Sequence, residues 1–551
     1  MKKILFALLA LILVLSACGT ATTEPTDAVT EPEVVATEET VVEAATEEPA
    51  AATEEPVVPA TEEPAPAGPK RVVIGLGTES YPQRGWMIET DDGFSMSYMG
   101  ILETLVKVDY DGNMVPYLAE SWSQVDELTW QFNLRQGISF TNGEPFNAAA
   151  VVNALDHVRF SPTPPRGISA ETFTAIEAAD EYTVLFRTAT PDTLLPNRLT
   201  SPVTGILAPS AYTEVGAPVD PFNTGTGPFI LVDQVPEQSL TVVKNPNYWG
   251  GNVNIDEALI LLVPDPQIRA GMLQTGEIDI NIHLPVEQLP ILEADPNLVV
   301  LRAPTPRTTT LHLNMSRPPF DDVRVRQAVA YAIDKEAIVF ATLEGAGTAA
   351  IGPISFTEGW IIDPRVGYPS TPDMARQLLA EAGYEEGELT IGLWTYPTRA
   401  NLPLTALAIQ GMLADVGVNV EIRLAQYDPM EPDVLGGNYD MFIVSRNHVL
   451  DSYDPEGFFT SDYSCAGGYN MDQFCDEEFD TLLAEARSLT DVEARYEIYR
   501  RLQSILVDEQ AVGVFLNYTQ IIDGVRSNVL NFQIHPLERF VLTAELDIVM
   551  P

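Results

Sequence analysis

Cysteine is nearly absent from this chain: three occur in 551 residues, Cys18 alone near the start and Cys465 and Cys475 close together near the end. So few thiols cannot build a disulfide-dense scaffold or a four-cysteine metal site. Histidine is almost as scarce, and His157, His283, His312, His448 and His535 show no paired ligand spacing. Basic residues are few: 30 Lys and Arg stand against 79 Asp and Glu, a formal charge of −49 at neutral pH. Phosphate backbones need a basic face, so nucleic acid is excluded as a partner. The apolar run at residues 4–15 covers twelve residues, short of the ~20 that a membrane-spanning helix needs. Catalytic signatures are missing too. Gly75-Leu76-Gly77 follows a strand pattern, but Ser80 stands where a dinucleotide loop needs glycine and no helix pattern opens behind it. NTGTGPF, at residues 223–229, lacks the Lys-Ser/Thr of a phosphate loop and reads as a turn. No Gly-x-Ser-x-Gly elbow occurs. With so many carboxylates, pairs of them say nothing about acid–base chemistry, and neither an enzyme nor a cofactor is expected.

The chain begins with Lys2 and Lys3, the short apolar run, and the small residues Ser16 and Ala17, which together make a secretory signal. Leu15-Ser16-Ala17-Cys18 resembles the lipobox of bacterial lipoproteins. That resemblance implies that residues 1–17 are removed and that Cys18 is acylated, becoming the first residue of the mature chain on the outer face of a membrane. The alternative is a plain signal beside a chance cysteine. Residues 19–69 repeat ATEE and TEEP and carry thirteen Asp or Glu with no Lys or Arg. Such a segment buries too little apolar surface to order itself, while proline and self-repulsion keep it extended. Residues 18–69 are therefore expected to be a disordered tether. The rest, residues 70–551, carries 66 acidic and 28 basic residues and is long enough for two or more lobes with their own cores.

Strand and helix patterns alternate along this part. RVVIGLG reads as a buried strand, and LTWQFNLR, YTVLFRT and QSLTVVKN as half-exposed strands. In FDDVRVRQAVAYAIDKEAIV an apolar stripe of Val325, Val329 and Ile333 predicts a helix whose Arg324, Arg326 and Lys335 face elsewhere. Thr371 and Pro372 open another helix that stops at Gly383. DEEFDTLLAEARSLTDVEARYEIYRRLQSIL predicts two consecutive amphipathic helices, the second with Tyr496, Tyr499, Leu502 and Leu506 on one face. The fold class is mixed α/β.

Six segments then stand in order: GILETLVKVDYDGNMVPYLAESW, LRQGISFTNGEPF, TGTGPF, NPNYWGG, GEIDI and LNMSRPPFDDVRVRQAVAYAIDKEAIV. Together they resemble the family 5 extracytoplasmic solute-binding proteins, the peptide- and nickel-binding receptors of ABC importers. The chain departs from that pattern in GTESYPQRGWMIETDD, where relatives carry Leu-Asp-Pro, and at Ala148-Ala149-Ala150-Val151, where they carry Ala-Glu-Asp-Val. The resemblance implies two α/β lobes of the periplasmic-binding-protein type joined by a hinge. It places lobe one at residues 70–312 plus 520–551 and lobe two at 313–519. It also implies a monomer that closes around a small ligand and presents it to permease subunits.

The stretch LDSYDPEGFFTSDYSCAGGYNMDQFCDEEFDTLL is similar to the part of dipeptide-binding members in which two cysteines bridge a loop. That implies a Cys465–Cys475 disulfide, which an even pair in an oxidising compartment also favours. Two reduced, buried thiols are the alternative. Asp451 lies fourteen residues before Cys465, where dipeptide-binding members place the aspartate that pairs with the ligand ammonium. A turn-capping role in LDSYDP is its alternative. Arg399, in LWTYPTRANLPL, is the matching candidate for the ligand carboxylate. Trp394, Tyr396 and Trp360 are candidates to line side-chain pockets, or else core aromatics. A short peptide is the expected ligand. An oligosaccharide held by stacked aromatics, or a nickel chelate recruiting His448, remains open on the same fold. A secreted lipoprotein enzyme lacks any nucleophile–base constellation.

Overall fold

The computed structural model describes residues 68–550 except 166, 356–366, 398, 400, 450 and 451. Cys18, the body of the tether, Trp360 and Asp451 therefore lie outside the described residues. Eleven strands form the main sheet: β1 (Arg71–Leu76), β2 (Phe229–Val235), β3 (Ser239–Lys244), β4 (Glu257–Leu262), β5 (Ile280–Asn281), β6 (Leu298–Leu313), β7 (Gly347–Ala349), β8 (Thr390–Thr395), β9 (Asn419–Leu424), β10 (Met441–Asn447) and β11 (Gly513–Arg526). Their order is β9-β8-β10-β6-β11-β5-β1-β4-β3-β2, with β7 on β11.

Two long antiparallel strands hold this sheet together. β6 pairs with β11 from Leu298 opposite Arg526 to His312 opposite Gly513. Between Pro304 and Thr308 the register shifts. Pro304 and Pro306 bring no N–H to the ladder, so regular pairing lapses there and resumes at Thr308 opposite Tyr518. On one side of the lapse the sheet continues through β5, β1, β4, β3 and β2. On the other, β10 pairs with β6 from Arg307 to Leu313, and β8 and β9 follow.

Each side has its own core, which makes the molecule two-lobed. The first lobe buries Val72, Ile74, Leu240 and Ile260 of the sheet with Phe132, Phe173 and Phe186. Those three phenylalanines come from a separate four-stranded antiparallel sheet in the order Ala119–Asp126, Thr129–Leu134, Thr183–Thr188, Phe173–Asp180. The second lobe buries Leu311, Leu313, Ile391, Leu393 and Ile443 with Ile409 and Leu413 from the helix Asn401–Ala414. Beside it, Phe459, Phe479, Tyr499, Leu502 and Leu506 form a helical cluster.

The helices Glu477–Ser488 and Val492–Ser504 lie where their periodicity predicts, and Pro372–Ala382 ends at Gly383 with φ 96°. One expectation needs correcting. The apolar stripe from Val325 to Ile333 lies on one helix that ends there and does not continue to Lys335, because Asp334 accepts from the Ala337 N–H at 2.9 Å and starts a second one. The two helices are Val323–Ala332 and Lys335–Leu343. Arg326, expected on an outer face, is buried and donates to the Phe320 carbonyl at 2.7 Å and the Gln510 carbonyl at 2.9 Å. The NTGTGPF turn packs so closely that a Cβ on Gly225 would meet the Ile101 carbonyl oxygen at 2.1 Å.

Candidate functional site

Two adjoining cavities of about 680 and 450 Å³ lie where the lobes meet. His283, Arg307, Arg399, Ser445 and Glu538 line both and form the wall between them. Each reaches the wall by a different local device. Arg307 sits in the proline-broken segment of β6, paired with Asn447 of β10. Arg399 lies between β8 and the helix Asn401–Ala414. His283 follows β5 at φ 61°, and Glu538 lies in the C-terminal segment at φ 54°. Two non-glycine residues with positive φ in one wall store strain of order 1–3 kcal/mol each, a cost that clusters at functional sites.

Charge in the wall is unbalanced. Glu538 places one carboxylate oxygen 3.6 Å from Arg307 Nε and the other 3.5 Å from His283 Nε2. Burial alone would push the Glu538 carboxyl up, but Arg307 and His283 outweigh it and hold it well below the usual carboxylate range. Arg307 Nη1 donates to the Ser445 carbonyl at 3.0 Å, while its buried Nε has no hydrogen-bond partner among the described residues. Burial, then the neighbouring Arg399, push the Arg307 pKa down against the pull of Glu538. Arg399 is half-buried; its carbonyl accepts from the Leu402 N–H at 3.1 Å, while its guanidinium makes no hydrogen bond or ion pair with a described residue. Arg446, which lines the larger cavity, is matched by Asp462, to which its Nη2 donates at 3.1 Å. Behind His283, Asp523 accepts from its backbone N–H at 2.9 Å, and burial pushes that carboxyl up to about 6.

The larger cavity is lined mostly by polar side chains, with Tyr98, Tyr396, Tyr427 and Tyr469 among them. Ser445 Oγ and Asn447 Nδ2 are buried beside it without a hydrogen-bond partner among the described residues. Orphaned polar atoms of this kind cost about 1–3 kcal/mol each until a ligand or ordered water satisfies them. Its first-lobe side is the stretch in which the chain departs from the Leu-Asp-Pro pattern. There Asp92, in the first turn of α1 (Asp91–Tyr98), accepts from the backbone N–H of Gln83 at 2.8 Å and of Trp86 at 2.7 Å. One buried carboxylate thus fixes the loop that presents Thr78, Ser80 and Gln83 to the cavity. The smaller cavity has an apolar side made by Pro264, Leu284, Val286, Leu343, Leu404 and Ile521, beside the polar Thr305, Asn401, Thr519 and Gln520.

Of the residues singled out from the sequence, the structure brings Arg399 and Tyr396 to the larger cavity. Tyr396 packs edge-on against Tyr427 at 5.2 Å. Trp394 lines neither cavity. It packs on Tyr439 with the Arg423 guanidinium 3.9 Å from its ring centroid. The pocket-lining expectation for Trp394 is corrected accordingly. Asp451 and Trp360 lie outside the described residues, as does Cys18. His448 is buried against Phe458, and no group of three His, Cys, Asp or Glu among the described residues is placed to hold a metal. Cys465 and Cys475 are joined in a disulfide that closes the loop between the helices Pro455–Tyr463 and Glu477–Ser488. Sequence reasoning missed His283, Arg307 and Glu538. TPRTTTLHL and HPLERF carry no local pattern that marks them.

Comparison with known proteins fits this geometry. The family model described as bacterial extracellular solute-binding proteins, family 5, matches residues 113–470. The heme-binding protein A of Haemophilus influenzae is 31% identical over 426 residues, covering 72% of this chain and 77% of that protein. The dipeptide-binding protein of Escherichia coli is 28% identical over 455 residues, covering 77% and 84%. Among solved structures, a dipeptide-binding protein from Pseudoalteromonas sp. SM9913 in complex with Met-Leu has TM-score 0.77 at 23% identity, covering 87% of this chain and 100% of that one. The nickel ABC transporter structure from Bacillus halodurans has TM-score 0.69 at 27% identity with the same coverage. Fold and site define a two-lobed extracytoplasmic binding protein. The chain belongs to family 5 of the bacterial extracellular solute-binding proteins, the receptors of ABC importers. No described helix is long and apolar enough to cross a membrane.

Proposed function

We propose that this receptor captures short peptides between its lobes outside the cell membrane and delivers them to the permease of an ABC importer, with no catalysis of its own. The observation that carries the reading is Arg399, a half-buried guanidinium in the cleft without an ion pair among the described residues. A peptide carboxylate is the bidentate partner such a group takes, and a water-poor cleft strengthens the pair. Asp451 holds the ammonium end, and Tyr396 and Trp360 contact side chains. The dipeptide-binding relative supports the same ligand class.

The lobes divide close to the expected 70–312 plus 520–551 and 313–519, with the second lobe taking in β6 from Thr308 onward. The lapse in β6–β11 pairing at Pro304–Thr308 supports a hinge there, about which the lobes close on the ligand. The receptor works as a monomer, anchored by a lipid on Cys18 after removal of residues 1–17. Residues 18–69 keep it near its permease at high effective concentration.

Mass spectrometry of small molecules released by denaturing the purified protein tests the reading. Peptides of a few residues are expected, and a sugar in their place would overturn it. Metal chelation is the second reading, because Arg399 would also suit a chelate's carboxylate and the nickel transporter structure is 27% identical. Release of nickel with a chelator would favour it.

A further inference from the structure

The cavity wall places two guanidiniums between two compartments, of which the smaller has the apolar side formed by Leu284, Leu343, Leu404 and Ile521. We infer that Arg307 joins Arg399 in holding the ligand carboxylate, and that the apolar side of the 450 Å³ cavity behind them takes the side chain of the ligand's C-terminal residue. The receptor then selects peptides ending in a large apolar residue. The inference rests on the peptide reading and names the class of peptide.

A C-terminal side chain leaves Cα one bond from the carboxylate, so its Cβ starts only ~2.5 Å from the carboxylate carbon. A carboxylate held at a wall lined from both sides puts that side chain at the wall as well. The peptide backbone needs donors and acceptors, and it finds them in the larger cavity at Ser445 Oγ and Asn447 Nδ2, both buried and unpartnered among the described residues. The terminal side chain is left facing Leu284, Leu343, Leu404 and Ile521. Charged groups do occur there, but Arg269 donates to the Val263 carbonyl at 2.6 Å, and Glu287 and Glu344 are exposed. Arg307 suits the shared carboxylate because its Nε is unpartnered, and Glu538 lies too far from it, at 3.6 Å, for a good hydrogen bond. A carboxylate offers lone pairs for two guanidiniums.

Calorimetry on the lipid-free chain from residue 19 onward, with the dipeptides Ala-Ala, Ala-Phe and Phe-Ala, tests this. Ala-Phe should bind at least about 10-fold more tightly than the other two, the gain expected from burying a benzyl group. Ala341→Trp, on the cavity side of the helix Lys335–Leu343, should erase that advantage. Should Ala341→Trp fold poorly by thermal melt, Leu404→Gln at an exposed lining position should erase most of it. Arg307→Gln should weaken Ala-Phe but not its C-terminal amide. Equal binding of Ala-Ala and Ala-Phe, or a preference for Phe-Ala, overturns the inference and leaves the peptide reading standing. Binding of no peptide overturns both.

Discussion

Arg198 Nη2 lies 2.7 Å from Glu456 Oε2, with both side chains buried where the two lobes meet. Arg198 also holds Asp192 at 2.9 Å, and Glu456 takes Arg487 at 2.6 Å. Burial alone would push the Glu456 carboxyl up, but the two arginines outweigh it and bring it down to about 2. Its unfolded value is the ordinary one near 4.5. A depressed carboxylate contributes stability that is present above the unfolded pKa and lost as pH falls through the folded one. Glu456→Gln should therefore cost about 3 kcal/mol at neutral pH and flatten the stability loss between pH 4.5 and 2. Urea titrations across that range check it, and an unchanged acid slope would contradict it.

Asp523 gives the opposite sign. Burial lifts its carboxyl to about 6 from an ordinary 3.8, with His283 opposing the rise and Glu538 adding to it. Stability from this group is complete below the unfolded value and falls as pH rises through 6. Asp523→Asn keeps an acceptor for the His283 N–H and should remove that decline. Melting temperatures at pH 4 to 7 read the effect directly.

Reduction of the Cys465–Cys475 bridge should lower stability by roughly 2–3 kcal/mol, because the loop it closes is short. The melting temperature should fall with reductant, and Cys465→Ser should match that fall without it. Equal melting temperatures with and without reductant would contradict the prediction.

Cys18→Ala should release the protein from membranes or leave its signal uncleaved. Fractionation with intact-mass measurement decides this. Normal processing with full membrane retention would contradict lipid anchoring.

Much of the fold is legible in the sequence because local rules and tertiary packing agree there. The β1 strand and the helices Pro372–Ala382 and Glu477–Ser488 follow from periodicity and caps. Arg326 and the helix break at Asp334 are not legible in this way. Each depends on a distant or capping partner, the Gln510 carbonyl in one case and the Ala337 N–H in the other. The site is legible only where family pattern marks it, as at Arg399. Arg307 and Glu538 are 231 residues apart and meet only because β6 and the C-terminal segment converge at the lobe boundary. Trp394 shows the limit of counting aromatics near a site, since it and Tyr396 stand two residues apart at the end of β8 and only Tyr396 lines the cleft.

If a free peptide spans the cleft between Asp451 and Arg399, calorimetry with end-blocked peptides will register the loss of either end. N-acetylation of a bound peptide should weaken the native protein by about 30-fold or more, and Asp451→Ala should do the same without adding to the loss. C-terminal amidation should weaken the native protein and leave Arg399→Ala unaffected. Equal binding of free and blocked peptides by the native protein would contradict the account.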